Sequence, residues 1–183
     1  MSHFPVAVFH KEDQNIEELL APYDENISVE PYIWMDREEA IAFARKRYGI
    51  EDATDEECWQ MIAKGRMTDK DGNIYSTYNP DSKWDWWCIG GRWSNMLTSK
   101  DGEAVDSIRV GDLSISFGCK KDKFSTYAVV TPDGKWHAPG EVGWFGASSE
   151  SEEELRDWQA HYRERFIDTA DKDWILTICD CHI

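Results

Sequence analysis

The stretch from Asn79 to Trp93, Asn-Pro-Asp-Ser-Lys-Trp-Asp-Trp-Trp-Cys-Ile-Gly-Gly-Arg-Trp, constrains this chain more than any other. It places four tryptophans in fifteen residues. An indole buries a large apolar area and carries one N–H that needs an acceptor once it leaves water. A fold that takes in this stretch must therefore supply apolar contact and polar partners at one place. Asn79-Pro80-Asp81-Ser82 reads as a turn. In a strand that follows it, Trp84 and Trp86 fall on one face, Asp85 and Trp87 on the other. Gly90-Gly91 permits a bulge or tight turn, and Arg92 brings a planar fork of five donors there. Lys83 and Arg92 can bracket an anion, and an indole face can stack on a base. Asp85 can accept from a ribose hydroxyl or orient Arg92. Lys83, Trp84, Asp85, Trp86, Gly90, Gly91, Arg92 and Trp93 thus form a candidate site for a nucleotide-like small molecule. The plainer alternative makes the indoles core, Asp85 and Arg92 a structural ion pair, and the glycines a bulge. Gly-Gly-Arg is not a P-loop, and no G-x-G-x-x-G occurs.

The 183 residues suit one domain, 1–183, with 36–64 as a helical insertion. A 41% hydrophobic and 13% aromatic composition is enough for a core and argues against intrinsic disorder. The formal charge of −16 opposes direct binding to nucleic-acid phosphates and to anionic membranes. It suits a basic protein partner or a cation. No apolar stretch approaches the roughly 20 residues of a spanning helix. The opening residues lack the basic region of a signal peptide, so a cytoplasmic protein is expected. Cysteines 58, 88, 119, 179 and 181 contain no C-x-x-C, which points to reduced, mostly buried thiols.

Residues 3–9 read as a strand and 14–20 as a short helical or irregular link. Asp36 is a fitting N-cap for a helix to Tyr48, with Ala40, Ile41, Ala44 and Tyr48 inward and Gly49 ending it. Thr54-Asp-Glu-Glu57 is a capping box for a second helix, with Cys58, Trp59, Ile62 and Ala63 inward. Asp-Gly turns at 71–72, 101–102 and 133–134 separate β-like runs near 73–78, 86–97, 105–117 and 124–131. Capping signals at Ser149–Glu154 open a third helix to about Phe166, with a core stripe of Leu155, Trp158, Tyr162 and Phe166. Trp174 to Ile183 is strongly β. Helices and antiparallel strand runs without strict βαβ alternation predict an α+β fold: a mainly antiparallel sheet with about three helices packed on it.

A second site depends on topology. If the first and last strands are antiparallel neighbours, His3 lies near Asp180 and His182. Two imidazoles and a carboxylate are reasonable ligands for a divalent metal, and equally an acid–base pair. Terminal surface histidines are the plainer reading. A third patch, Trp136 to Gly146, offers His137 and Glu141 as an acid–base pair or as a rim to the tryptophan site, and adds His137 and Trp144 to the candidate ligand-binding residues. Structural packing explains it as simply. No cofactor is signalled.

These motifs also carry a resemblance. His3-Phe4, Asn-Pro-x-x-Lys-Trp-Asp-Trp (79–86), Gly-Gly-Arg-Trp (90–93), Asp-Gly-Lys-Trp (133–136), Gly-Trp-x-Gly (143–146) and the closing Asp-Cys-His-Ile (180–183) resemble a family of uncharacterised bacteriophage and mobile-element proteins. The resemblance implies a phage setting and brings no activity with it. The leading expectation is a small-molecule binder, holding a nucleotide-derived immune signal by Trp stacking and Arg/Lys contacts. A second is an acidic protein that inhibits a host nucleic-acid-binding or defence protein. A third is a nucleotide-directed hydrolase or transferase using His3, Asp180, His182, His137 or Glu141. An enzyme is less expected than a binder, because no motif of known mechanical order such as G-x-S-x-G or H-E-x-x-H is present.

Overall fold

A computed structural model describes residues 2–114, 124–141 and 149–183. In chain order the elements are β1 (His3–His10), α1 (Ile16–Leu20), β2 (Tyr32–Met35), α2 (Arg37–Tyr48), α3 (Asp55–Ala63), β3 (Met67–Thr68), β4 (Ile74–Ser76) and β5 (Trp86–Ile89). There follow β6 (Leu97–Thr98), β7 (Ala104–Val105), β8 (Ser107–Arg109), β9 (Ala128–Val130), β10 (Trp136–His137), α4 (Glu152–Tyr162) and β11 (Ile175–His182). The fold is α+β, with four α-helices among the described residues. No helix among them is long and apolar enough to cross a membrane.

The chain forms two compact units, Met1–Glu25 with Asp81–Ile183, and Asn26–Pro80. The helical segment expected at 36–64 lies within the smaller unit, Asn26–Pro80, which also carries three strands in the order β2-β4-β3. Both of its helices start on a capping box, Asp36 with Glu39 and Thr54 with Glu57. Ala40, Ala44, Cys58, Ile62, Ala63 and Ile74 make its core. The Trp59 indole lies at that core's margin and donates to the Gly72 carbonyl at 2.8 Å. Tyr48 departs from the expected inward stripe. It is 55% exposed, on the last turn before the left-handed Gly49.

The larger unit is built on one strand pair. β1 and β11 run antiparallel in unbroken register from His3↔His182 to His10↔Ile175. β9 joins the other side of β1 in parallel, β10 extends it, and β5 and β8 both pair with β11. Alternation then divides the side chains. Ala7, Phe9, Leu176 and Ile178 pack in one core with Trp158, Tyr162 and Ile167 from α4 and the π-helical turn that follows it. Phe4, Val6, Val8, Cys179 and Cys181 pack in a second core with Leu20 and Trp84. Burial on both faces explains why β11 reads as a continuous β-run instead of an alternating one.

The core stripe of α4 is fixed by polar ends. The Trp158 indole donates to the Thr126 carbonyl at 2.9 Å. Thr126 Oγ1 donates to the Ala128 carbonyl at 2.7 Å, so the Tyr162 hydroxyl, also at 2.7 Å, must donate to Thr126. Tyr162→Phe leaves that acceptor unpaired in a dry core. It should lower the unfolding free energy by about 1 kcal/mol, against roughly 3–5 kcal/mol for Trp158→Ala. Urea unfolding of both variants checks this, and a Tyr162→Phe protein as stable as the parent would show that the hydroxyl pair contributes nothing.

Candidate functional site

The β1–β11 register sets His3 directly opposite His182, and the β11–β5 register sets His182 opposite Trp86 and Asp180 opposite Cys88. Period-two alternation puts these side chains on one face of the sheet. His3 Nδ1 lies 2.8 Å from Asp180 Oδ1, and His182 Nδ1 lies 2.6 Å from Asp85 Oδ1. An ionised carboxylate only accepts, so each Nδ1 donates and each neutral ring keeps Nε2 as its acceptor. The two rings meet edge to face with centroids 4.9 Å apart. His3 also stands edge to face with Trp86 at 6.2 Å. Trp86 is 50% exposed.

His10 gives the contrast. At the far end of the same strand, its Nδ1 donates to the Lys11 carbonyl at 2.9 Å and its Nε2 contacts Thr177 Oγ1 at 3.2 Å. Both nitrogens are used and the ring is a core fixture. His3 and His182 spend one nitrogen on a carboxylate and hydrogen-bond nothing with the other among the described residues. A carboxylate that orients an imidazole and stabilises its protonated form prepares it for proton transfer.

Asp180 is held from a second side. It is 2% exposed, and its Oδ2 accepts the Arg92 backbone N–H at 3.0 Å. That N–H is presented by the turn Gly91–Trp93, entered through Gly90 at φ +70° and Gly91 at φ +55°. A Cβ on Gly91 would stand 2.5 Å from Asp180 Cβ and Oδ2, and one on Gly90 would stand 2.5 Å from Asp106 Oδ2. The Gly-Gly pair is thus required twice, by backbone angle and by close approach. Burial works against thiolate formation at the neighbouring cysteines. Burial, with Asp180 and Asp106 nearby, raises Cys88, and burial pushes Cys179 up to about 12 and Cys181 well above its usual range.

The structure divides the residues of the 79–93 stretch. Trp84 is corrected from a stacking surface to core: it is 6% exposed and its indole donates to the Leu20 carbonyl at 3.2 Å. Trp84 and Trp86 do not share a face. The strand begins only at Trp86, and Trp84 sits before it in a bridge to Asp24, packed in the same core as Trp87. Trp93 packs against the α4 core. Lys83 does not join Arg92 around an anion, since its Nζ is 2.5 Å from Glu141 Oε2. Asp85 pairs with His182 and not with Arg92. The Arg92 side chain is exposed, with no hydrogen bond or ion pair to the described residues.

His137 does not meet Glu141 and is no rim to Trp86. Its Nε2 lies 3.2 Å from Thr131 Oγ1, its ring packs on Phe166, and burial lowers its pKa. In the order β10-β9-β1-β11-β5 it occupies the opposite edge, four strand steps or roughly 19 Å from Trp86. There it lines an open pocket of about 530 Å³ with Lys11, Asp133, Lys135 and Trp174. Trp144, Gly143, Gly146 and Cys119 lie outside the described residues.

Among the described residues, no group of three or more His, Cys, Asp or Glu is arranged to hold a metal ion. In the His3–Asp180–His182 cluster the carboxylate is engaged by an imidazole and a backbone N–H. Reading the sequence missed Asp85 as the partner of His182. The only signal was that 85–86 would pair with the end of the last strand, which needs the register. Comparisons with family models, curated proteins and solved structures return no match for this chain.

Gly91→Ala should separate Asp180 from His3 and from the Arg92 N–H. The left-handed backbone and the collision with Asp180 together should cost roughly 1–3 kcal/mol. Thermal unfolding measures the loss, and the imidazole region of the nitrogen–proton NMR spectrum should lose the hydrogen-bonded His3 Nδ1–H signal. A variant that keeps both would show that the turn does not hold the pair.

Proposed function

We propose that the protein binds a nucleotide-like phosphate ester at the β1–β11–β5 face. The observation that carries this reading is Trp86: a half-exposed indole beside two imidazoles and a turn bearing an exposed guanidinium that pairs with none of the described residues. A base or other flat ring stacks on the exposed indole. The phosphate takes the Arg92 fork and the imidazole N–H groups when these are protonated. The remaining surface supports a small ligand over a long one. A net charge of −16 repels a polyanion along its length, whereas one phosphate needs only local donors. In the phage setting that the motif resemblance implies, such a ligand is a nucleotide-derived immune signal.

The alternative of an acidic inhibitor of a host protein draws less support. Many carboxylates are engaged locally. Asp36, Glu39, Glu57 and Glu154 take part in helix caps, and Asp55, Glu56 and Asp157 pair with arginines. A mimic of nucleic acid needs rows of free ones.

A thermal-shift panel of mononucleotides, cyclic nucleotides and dinucleotides tests the proposal. At a hundredfold excess over Kd, a ligand contributes about 2.7 kcal/mol, which is a rise of roughly 5–10 °C for a chain of this size. Arg92→Ala keeps the backbone N–H to Asp180 and should abolish the rise without lowering the unliganded Tm. Trp86→Leu should do the same and remove any ligand quenching of tryptophan fluorescence. An unchanged ligand response in both variants would place the ligand elsewhere.

A further inference from the structure

We infer that His3 and His182 form a proton-transfer pair that cleaves a phosphodiester of the bound ligand. This rests on the ligand reading above and adds a reaction to it. Three observations carry it. First, each ring is tied at Nδ1 to its own carboxylate, His3 to Asp180 and His182 to Asp85, which leaves one proton-exchanging nitrogen on each. A single oriented imidazole suffices for binding; two with separate carboxylates suit a reaction that removes one proton and delivers another. Second, the rings are 4.9 Å apart, so both can reach a single phosphate group. Third, both are partly open to solvent, with side chains 19% and 14% exposed, while the Asp180 that aims one of them is buried.

The reaction follows from what the site lacks. The thiol facing it is Cys88, whose pKa burial and nearby carboxylates raise, and among the described residues no hydroxyl side chain hydrogen-bonds either imidazole. The nucleophile is therefore an oxygen brought to the site: the ligand's own 2′-hydroxyl, or water. One neutral imidazole takes the proton from that oxygen as it bonds to phosphorus. The other, as imidazolium, gives its proton to the departing ester oxygen as the P–O bond breaks. With a 2′-hydroxyl the products are a 2′,3′-cyclic phosphate and an alcohol; with water they are a phosphomonoester and an alcohol. One proton leaves the nucleophile and one joins the leaving group, so the pair ends with its protonation exchanged and proton transfer through solvent resets it. Asp180 and Asp85 are positioning residues, since they act through the rings they hold.

The test uses the full chain in excess chelator. The substrates are adenylyl-(3′→5′)-adenosine and its 2′-deoxy counterpart, with products separated by chromatography and binding followed in parallel by thermal shift. The expected result is cleavage with a bell-shaped dependence of kcat/KM on pH. Cleavage of the ribo compound alone assigns the 2′-hydroxyl as nucleophile, and cleavage of both assigns water. His3→Gln and His182→Gln, which keep a donor for each carboxylate, should each lose about a hundredfold or more in kcat with an unchanged unfolding temperature. Asp85→Asn should lower kcat while leaving KM and the Tm rise with dinucleotide unchanged, a split that mere loss of stability does not make. A dinucleotide that raises the Tm and is not cleaved, or cleavage that survives in both histidine variants, overturns the inference and leaves the binding reading in place. No Tm rise with any nucleotide and no cleavage would overturn both.

Discussion

The structure of the larger unit depends on the antiparallel pairing of residues 3–10 with 175–182. Every other strand of that sheet attaches to one of these two or to a neighbour of them: β9 to β1, β5 and β8 to β11, β10 to β9. Both cores are divided by it, because alternate side chains of the same two strands supply both. The pairing joins segments far apart in sequence, 3–10 and 175–182, so its entropic cost must be offset by burial. Eight residues on each strand, apolar toward both faces along most of their length, supply that burial. The register has no freedom to slip. A shift by one residue would turn Asp180 into the Cys179–Cys181 core and both histidines away from their carboxylates.

Where the burial is interrupted, the interruption is polar and paired. Asp180 sits almost wholly inside, and a buried carboxylate without partners costs several kcal/mol. The imidazole of His3 and the N–H of Arg92 take one oxygen each. The Gly90-Gly91 turn is therefore tied to β11 by chemistry as well as by sterics. Any side chain at Gly91 would occupy the space in which the backbone reaches the acid. The sequence motif and the strand end are two halves of one arrangement.

Much of this was legible in the sequence and part of it was not, for physical reasons that particular residues show. The helix starts at Asp36, Thr54 and Ser151 could be read because capping is local, requiring only four consecutive residues. The inward stripe of Trp158, Tyr162 and Phe166 could be read because period 3.6 is local too. Asp180 and His182 share a face by simple alternation. Their meeting with His3 followed only once an antiparallel pairing was supposed, and that of His182 with Asp85 required a second register. Trp84 shows the opposite failure. Counting by twos from Trp86 puts it on the wrong face, because the chain is not yet a strand there and follows Asp24 instead. His10 carried no signal at all, since a histidine in a strand looks the same whether one or both nitrogens find partners.

The charges of the site also bear on the proposed phosphate ligand. With both imidazoles neutral, Asp85, Asp180 and Asp106 outweigh Arg92, and a phosphate would meet a net negative site. One proton on the pair lowers that excess to one charge, and a second brings the local sum to zero. A bound phosphate monoanion thus favours the protonated ring through Coulomb attraction, which is strengthened where burial lowers the local dielectric. In the proposed complex each carboxylate keeps its imidazole oriented. The two acids repel the phosphate in that complex while both rings are neutral, so affinity and proton uptake would belong to one equilibrium, set by four side chains on three adjoining segments of the sheet.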